Sequence, residues 1–209
     1  MDKNKLFPQL IIWLTLLSIV ILFIGITLIK PSDTGQNELQ VLGHLPDFLF
    51  TQSNDQPFGL DDLKGKINVV NFMFTSCPMI CPAMTARIAA LYQDFAADTN
   101  VRFISITVDP QTDSLPVLRA YARDHGVTDN RWLFIRGSIE QVIALSEKGF
   151  MLSADRLPGG HSTRFILVDN NGDIREYYES SDDASIAKLK NDLRNLSISL
   201  QQTKKINLN

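Results

Sequence analysis

INVVNFMFTSCPMICPAM, residues 67–84, contains a change of conformation and both of the chain's cysteines, Cys77 and Cys81. Its first eight residues, Ile67 to Phe74, are apolar on both alternations rather than on one, the pattern of a strand covered on both faces. Beyond Pro82, apolar residues recur at Met84, Ile88, Leu91 and Phe95, a helical spacing that predicts an amphipathic helix over 82–97. Between strand and helix stand two thiols four residues apart, each followed by proline.

The same alternation continues outward from this stretch. Downstream, VRFISITV (101–108) predicts a strand, 114–125 a helix, 132–136 a strand and 138–149 a helix. Strands joined by helices of this length imply right-handed crossovers and a parallel core. RFILVD and IREYYES flank Asn170-Asn171-Gly172, a strong turn signal, and predict a closing hairpin over 164–179. A last helix follows over 182–196. Upstream, 48–52 reads as an edge strand, with turns over 53–56 and 60–65. The fold class is α/β, a thioredoxin-like sandwich with an insertion, occupying residues 45–200 and leaving 201–209 as a C-terminal tail.

The N-terminus differs in kind. LIIWLTLLSIVILFIGITLI, residues 10–29, carries no charge and is long enough to cross a hydrocarbon core of roughly 30 Å as a helix. A cleaved signal is the competing reading, but its apolar region is typically only about 7–15 residues, and no small-residue cleavage site follows before Lys30. Lys3 and Lys5 precede the span, so residues 1–9 are expected in the cytoplasm and the domain outside it. Residues 30–44, polar and carrying helix breakers, form a tether. The expectation is a single-pass protein of the inner (plasma) membrane with a periplasmic domain. With a net charge of −3 and no clustered run of lysine and arginine, the sequence lacks the footprint of a nucleic-acid binder.

The thiol pair admits three readings. A structural disulfide across so short a gap constrains little of the unfolded chain. Dithiol redox chemistry fits the residue types, although the usual short redox signature has two intervening residues and this one has three. A metal site is the third: if the chain turns helical near Met79, both sulfurs face one side of a helix N-terminus, where amide groups favour thiolate. Two thiolates suit a soft ion, copper(I) or zinc, and a further ligand must then come from elsewhere. The chain has three histidines. His44 lies in the tether and His125 at a helix C-terminus, both in surface positions. His161 follows Gly159-Gly160 and directly precedes RFILVD, so a loop delivers it to a strand edge.

NFMFTSCPMICP, SITVDPQTDSLPVLRAYARDHG, RWLFIRGSIEQV and HSTRFILVDNNG, four stretches in this order, resemble the Sco/SenC proteins, membrane-tethered copper chaperones of cytochrome c oxidase assembly. The resemblance runs from about Leu45 to Leu196. It implies a thioredoxin-like domain binding one copper ion through Cys77, Cys81 and His161, with the copper-bearing subunit of the oxidase, or another copper or thiol protein, as partner. It equally implies a reductant of that subunit's cysteines, using Cys77 and Cys81 as a redox pair. A thiol-disulfide oxidoreductase or peroxidase-like protein without obligatory metal is the alternative. Asp113 matches an acidic family position and reads as a helix cap or loop-orienting residue rather than a ligand. Met79 stands where family members often carry an aspartate, and reads as an apolar loop residue.

Overall fold

The computed structural model describes residues 13–18, 20, 39–78 and 80–206. Residues 13–18 and 20 are helical, but most of the expected span 10–29 lies outside the described residues, as does Met79. Among the described residues no helix is long and apolar enough to cross a membrane. The chain divides into two compact units, residues 1–38 and 39–209, and the second carries all that follows.

In chain order the second unit runs β1 (Gly43–His44), β2 (Leu49–Gln52), β3 (Pro57–Gly59), α1 (Leu60–Leu63), β4 (Ile67–Met73), α2 (Cys81–Asp94), β5 (Val101–Thr107), α3 (Leu115–Asp124), β6 (Trp132–Arg136), α4 (Ile139–Ala144), a π-helical turn (Leu145–Gly149), β7 (Arg164–Val168), β8 (Asp173–Glu179) and α5 (Asp183–Ile206). The strands form one sheet in the order β1-β8-β7-β4-β5-β6-β2-β3. Strands β4, β5 and β6 are parallel, and the remaining pairings are antiparallel.

Strand β4 is central because its sequence permits nothing else. Every residue from Ile67 to Met73 is buried, and the strand pairs along one edge with β5 and along the other with β7. Each large apolar side chain so buried contributes roughly 1.5–3 kcal/mol relative to exposure. Its two asparagines are satisfied internally. Asn68 donates to the Leu63 carbonyl at 2.8 Å, and Asn71 Oδ1 accepts from Ser105, whose oxygen accepts in turn from the Trp132 indole. Helix α2 buries Met84, Ile88 and Leu91, the stripe read from the sequence, with Phe95 closing it at the C-cap.

The hairpin β7–β8 turns at Gly172, whose φ of 89° suits glycine. Four segments depart from expectation, the first being the turn expected over 60–65, where Leu60–Leu63 form α1. Leu39 already belongs to the folded unit, and Gly43–His44 of the expected tether pair with Asp173 and Ile174 as strand β1, so the sheet edge is capped by the incoming chain. Pro57–Gly59, beyond the expected turn, pairs with β2 as β3. Helix α5 extends to Ile206, through most of the expected tail, because Ser197 and Leu200 continue its buried stripe and Lys204 bonds to Asn100 Oδ1 at 2.8 Å.

Candidate metal centre

The C-terminal end of β4 delivers the thiols. After Met73 the backbone leaves the sheet through Phe74, Thr75 and Ser76 before Cys77, and it re-enters regular structure at Cys81, the first residue of α2 with proline behind it. Cys77 is half-buried and Cys81 buried, and no disulfide joins them. His161 arrives on the loop before β7 and is buried, its ring meeting Phe74 edge to face at 5.7 Å. The Cys77 Sγ, the Cys81 Sγ and a His161 ring nitrogen all lie within 4.8 Å of one another. With metal–sulfur bonds of about 2.3 Å and a metal–nitrogen bond of about 2.0 Å, an ion at the centre of three such donors spaces them about 4 Å apart. The donor set therefore fits a soft ion after small adjustments.

The protonation states are organised for this. His161 Nδ1–H donates to the Ser162 carbonyl at 2.9 Å, which leaves the Nε2 lone pair facing Cys81 Sγ at 3.3 Å. Burial holds the imidazole below its ordinary value of 6.5, opposed by the bond to Ser162, so the ring is neutral at pH 7. Burial pushes the Cys81 thiol up to about 12, and the hydrogen bond with Cys77 adds to it. This corrects the expectation that the helix terminus favours thiolate at both cysteines: at Cys81 desolvation outweighs the amide dipoles. An incoming cation must displace the Cys81 proton.

Asp113 holds the loop. Fully buried, its carboxylate accepts from the Thr75 backbone N–H at 3.1 Å, from Thr75 Oγ1 at 2.5 Å and from Thr107 Oγ1 at 2.5 Å. It orients the segment two residues before Cys77, while the N-cap of α3 falls to Ser114. Sequence reading placed Asp113 without its partners Thr75 and Thr107. It also missed Tyr121, whose hydroxyl meets Thr85 Oγ1 at 2.9 Å. Burial raises that phenol, and the neighbouring Cys81, Asp113 and Cys77 push it the same way. Helical register places Thr85 one turn after Cys81, but Tyr121 lies on α3 and has no sequence signal tying it to the thiols.

The other histidines stay apart. His44 pairs with Asp173 at 2.6 Å on the β1–β8 edge, and His125 Nδ1–H donates to the Tyr121 carbonyl at 2.8 Å at the end of α3.

A family model described as SCO1/SenC matches residues 37–196. The chain belongs to the SCO1/SenC family. A SCO1/SenC family lipoprotein from Bacillus anthracis is 33% identical, with a TM-score of 0.68 over 74% of this chain and 95% of its own. BsSco, from a study that identified a disulfide switch in it and described as a member of the Sco family of cytochrome c oxidase assembly proteins, is 26% identical, with a TM-score of 0.67 over 76% and 96%. Bradyrhizobium japonicum ScoI, solved with copper bound, is 22% identical, with a TM-score of 0.60 over 72% and 100%, a likeness that bears on the fold. The thioredoxin-like α/β architecture expected from the sequence is that of the SCO1/SenC structures.

Proposed function

We propose that this SCO1/SenC protein binds one copper ion through Cys77, Cys81 and His161 and delivers it to the copper-bearing subunit of cytochrome c oxidase during assembly. The observation that carries the reading is the convergence of two thiols and an imidazole, from segments 80 residues apart, within 4.8 Å. Soft sulfur donors with one neutral imidazole select copper over the hard cations. The description of BsSco as a member of the Sco family of cytochrome c oxidase assembly proteins points the same way. The apolar run 10–29, whose described residues Trp13, Leu14 and Leu17 are exposed, supports a membrane anchor that keeps the domain at the outer face of the inner membrane.

The decisive experiment is titration of the reduced protein with copper. One equivalent is expected to bind and to produce thiolate-to-copper charge-transfer absorption. Its absence, with both thiols assayed as free, removes the reading.

A second reading rests on the unequal exposure of the two sulfurs. Half-exposed Cys77 is placed to attack a disulfide on a partner as thiolate, forming a mixed disulfide and releasing one partner thiolate. Buried Cys81 then attacks Cys77 Sγ, releases the second partner thiol and leaves Cys77–Cys81 oxidised. That chemistry reduces the cysteines of an oxidase copper site and needs no metal.

A further inference from the structure

The parallel strands have a second pole. Cys77 and Cys81 follow the C-terminal end of β4, whereas Arg102 is the second residue of the parallel β5 and stands at the opposite end of the sheet. Its guanidinium donates to Asn68 Oδ1 at 3.0 Å and to the Asp62 carbonyl, and it lies 5.6 Å from the ring centre of the buried Phe58. All three anchors are neutral. Among the described residues Arg102 makes no ion pair with a carboxylate, nor do Lys66 and Lys204.

Lys66 stands within the field of the other two cations. The Lys66 ammonium is held below its ordinary value by burial first and then by the charges of Lys204 and Arg102, against a smaller opposing effect of Asp98. Arg102 is itself lowered to about 10 by burial, with Asp62 acting the other way. A guanidinium without a paired anion in a desolvated setting is an energetic cost that an oxyanion relieves, through two parallel N–H···O bonds where geometry allows. Beside Arg102 opens a cleft of about 280 Å³, with Asn54, Gln56, Asn130 and Asp62 on its exposed rim and Phe58 in its wall. Carboxamides there offer N–H donors, and the cleft volume suits a solute of a few heavy atoms.

We infer that this cleft is a binding site for one small oxyanion of the size and charge of inorganic phosphate, held by Arg102 and the carboxamide N–H groups of Gln56 and Asn130. Asp62 is the opposing element, a carboxylate at the rim that limits affinity. The site stands at the pole away from the thiols, so it is independent of the copper reading.

Equilibrium dialysis of the full chain in detergent against radiolabelled inorganic phosphate, at ionic strength held constant with chloride, tests it. One saturable equivalent is expected. Asp62→Asn removes the opposing charge while keeping an oxygen to accept from the Gly59 N–H, now 2.7 Å from Asp62 Oδ2. It should tighten binding about fivefold. Asn130→Asp, on an exposed side chain that leaves the fold untouched, should weaken it by a similar factor, and Arg102→Lys should abolish most of it. Absence of saturable binding overturns the proposal. So does equal affinity in the Asp62→Asn and Asn130→Asp proteins, the result expected of diffuse adsorption to surface lysines.

Discussion

Cys81 Sγ lies 3.3 Å from His161 Nε2, although 80 residues separate them in the chain. One partner begins helix α2 and the other ends the loop before β7, so the contact exists only because β7 lies against β4 in the sheet. That contact divides the two readings of the thiols. Metal binding uses the Nε2 lone pair directly, whereas thiol exchange needs only the sulfurs.

His161→Ala should therefore lower copper affinity more than about 100-fold, since loss of support around a ligand alone costs 10–100-fold. Exchange with a small disulfide should continue near the parent rate. Competition with a copper chelator measures the first and a thiol-release assay the second. Unchanged copper affinity would remove His161 from the ligand set.

Asp113 offers a test through the loop instead of the ligands. Asp113→Ala strips acceptors from the Thr75 N–H, the Thr75 hydroxyl and the Thr107 hydroxyl, all in a buried setting. The expected loss is about 2–4 kcal/mol in urea unfolding, with weaker copper binding because the approach to Cys77 is no longer held. Asp113→Asn, which keeps one acceptor oxygen, should lose less of both.

The Cys81 thiol supplies a pH prediction with a definite sign. In the folded, metal-free protein it keeps its proton up to about 12, whereas in the unfolded chain it releases it near the ordinary value of 9.0. Above pH 9 the unfolded state binds fewer protons, so stability falls as pH rises. The contribution is fully present below pH 9 and is lost progressively towards pH 12. Denaturant midpoints across this range should fall more steeply for the parent protein than for Cys81→Ala. Equal slopes would show that burial does not hold the proton on Cys81.

How far the sequence carried this reading follows from what each residue interacts with. Strand β4 and helix α2 were legible because their apolar residues repeat at the period of their own backbone and bury against the sheet. The β7–β8 hairpin was legible because Gly172 carries the local turn chemistry. Strand β1 was not, since two residues in a polar stretch become a strand only through pairing with Asp173 and Ile174. The site divides in the same way. Two thiols four residues apart, each followed by proline, announce themselves, and glycines before a strand mark His161 as deliverable, although Cys77 lies in the loop and only Cys81 begins the helix. The Cys81 pKa depends on burial under side chains from elsewhere in the chain, and local sequence around the thiols pointed to the opposite sign. The web joining Asp113 to Thr75 and Thr107 likewise exists only once β4 and β5 are side by side.

Gly160 makes the loop itself testable. A Cβ at this position would stand 2.4 Å from the Asp155 carbonyl oxygen and 3.3 Å from that of Arg156, and both obstacles are backbone. Neither can swing aside as a side chain would. The Gly160 N–H also donates to the Arg156 carbonyl at 3.0 Å, so a shift that relieves the clash breaks the turn that aims the next residue. That residue is His161. Gly160→Ala should then displace the imidazole while leaving the sheet intact, because Gly160 lies outside every strand and helix of the sheet. The expected result is copper affinity reduced about tenfold or more, in the range seen when the support of a ligand is removed. The urea midpoint should move far less than for Asp113→Ala. Both quantities come from one preparation, by chelator competition and by denaturant titration. Parent-like copper affinity in Gly160→Ala would mean that His161 reaches the thiols without this loop conformation.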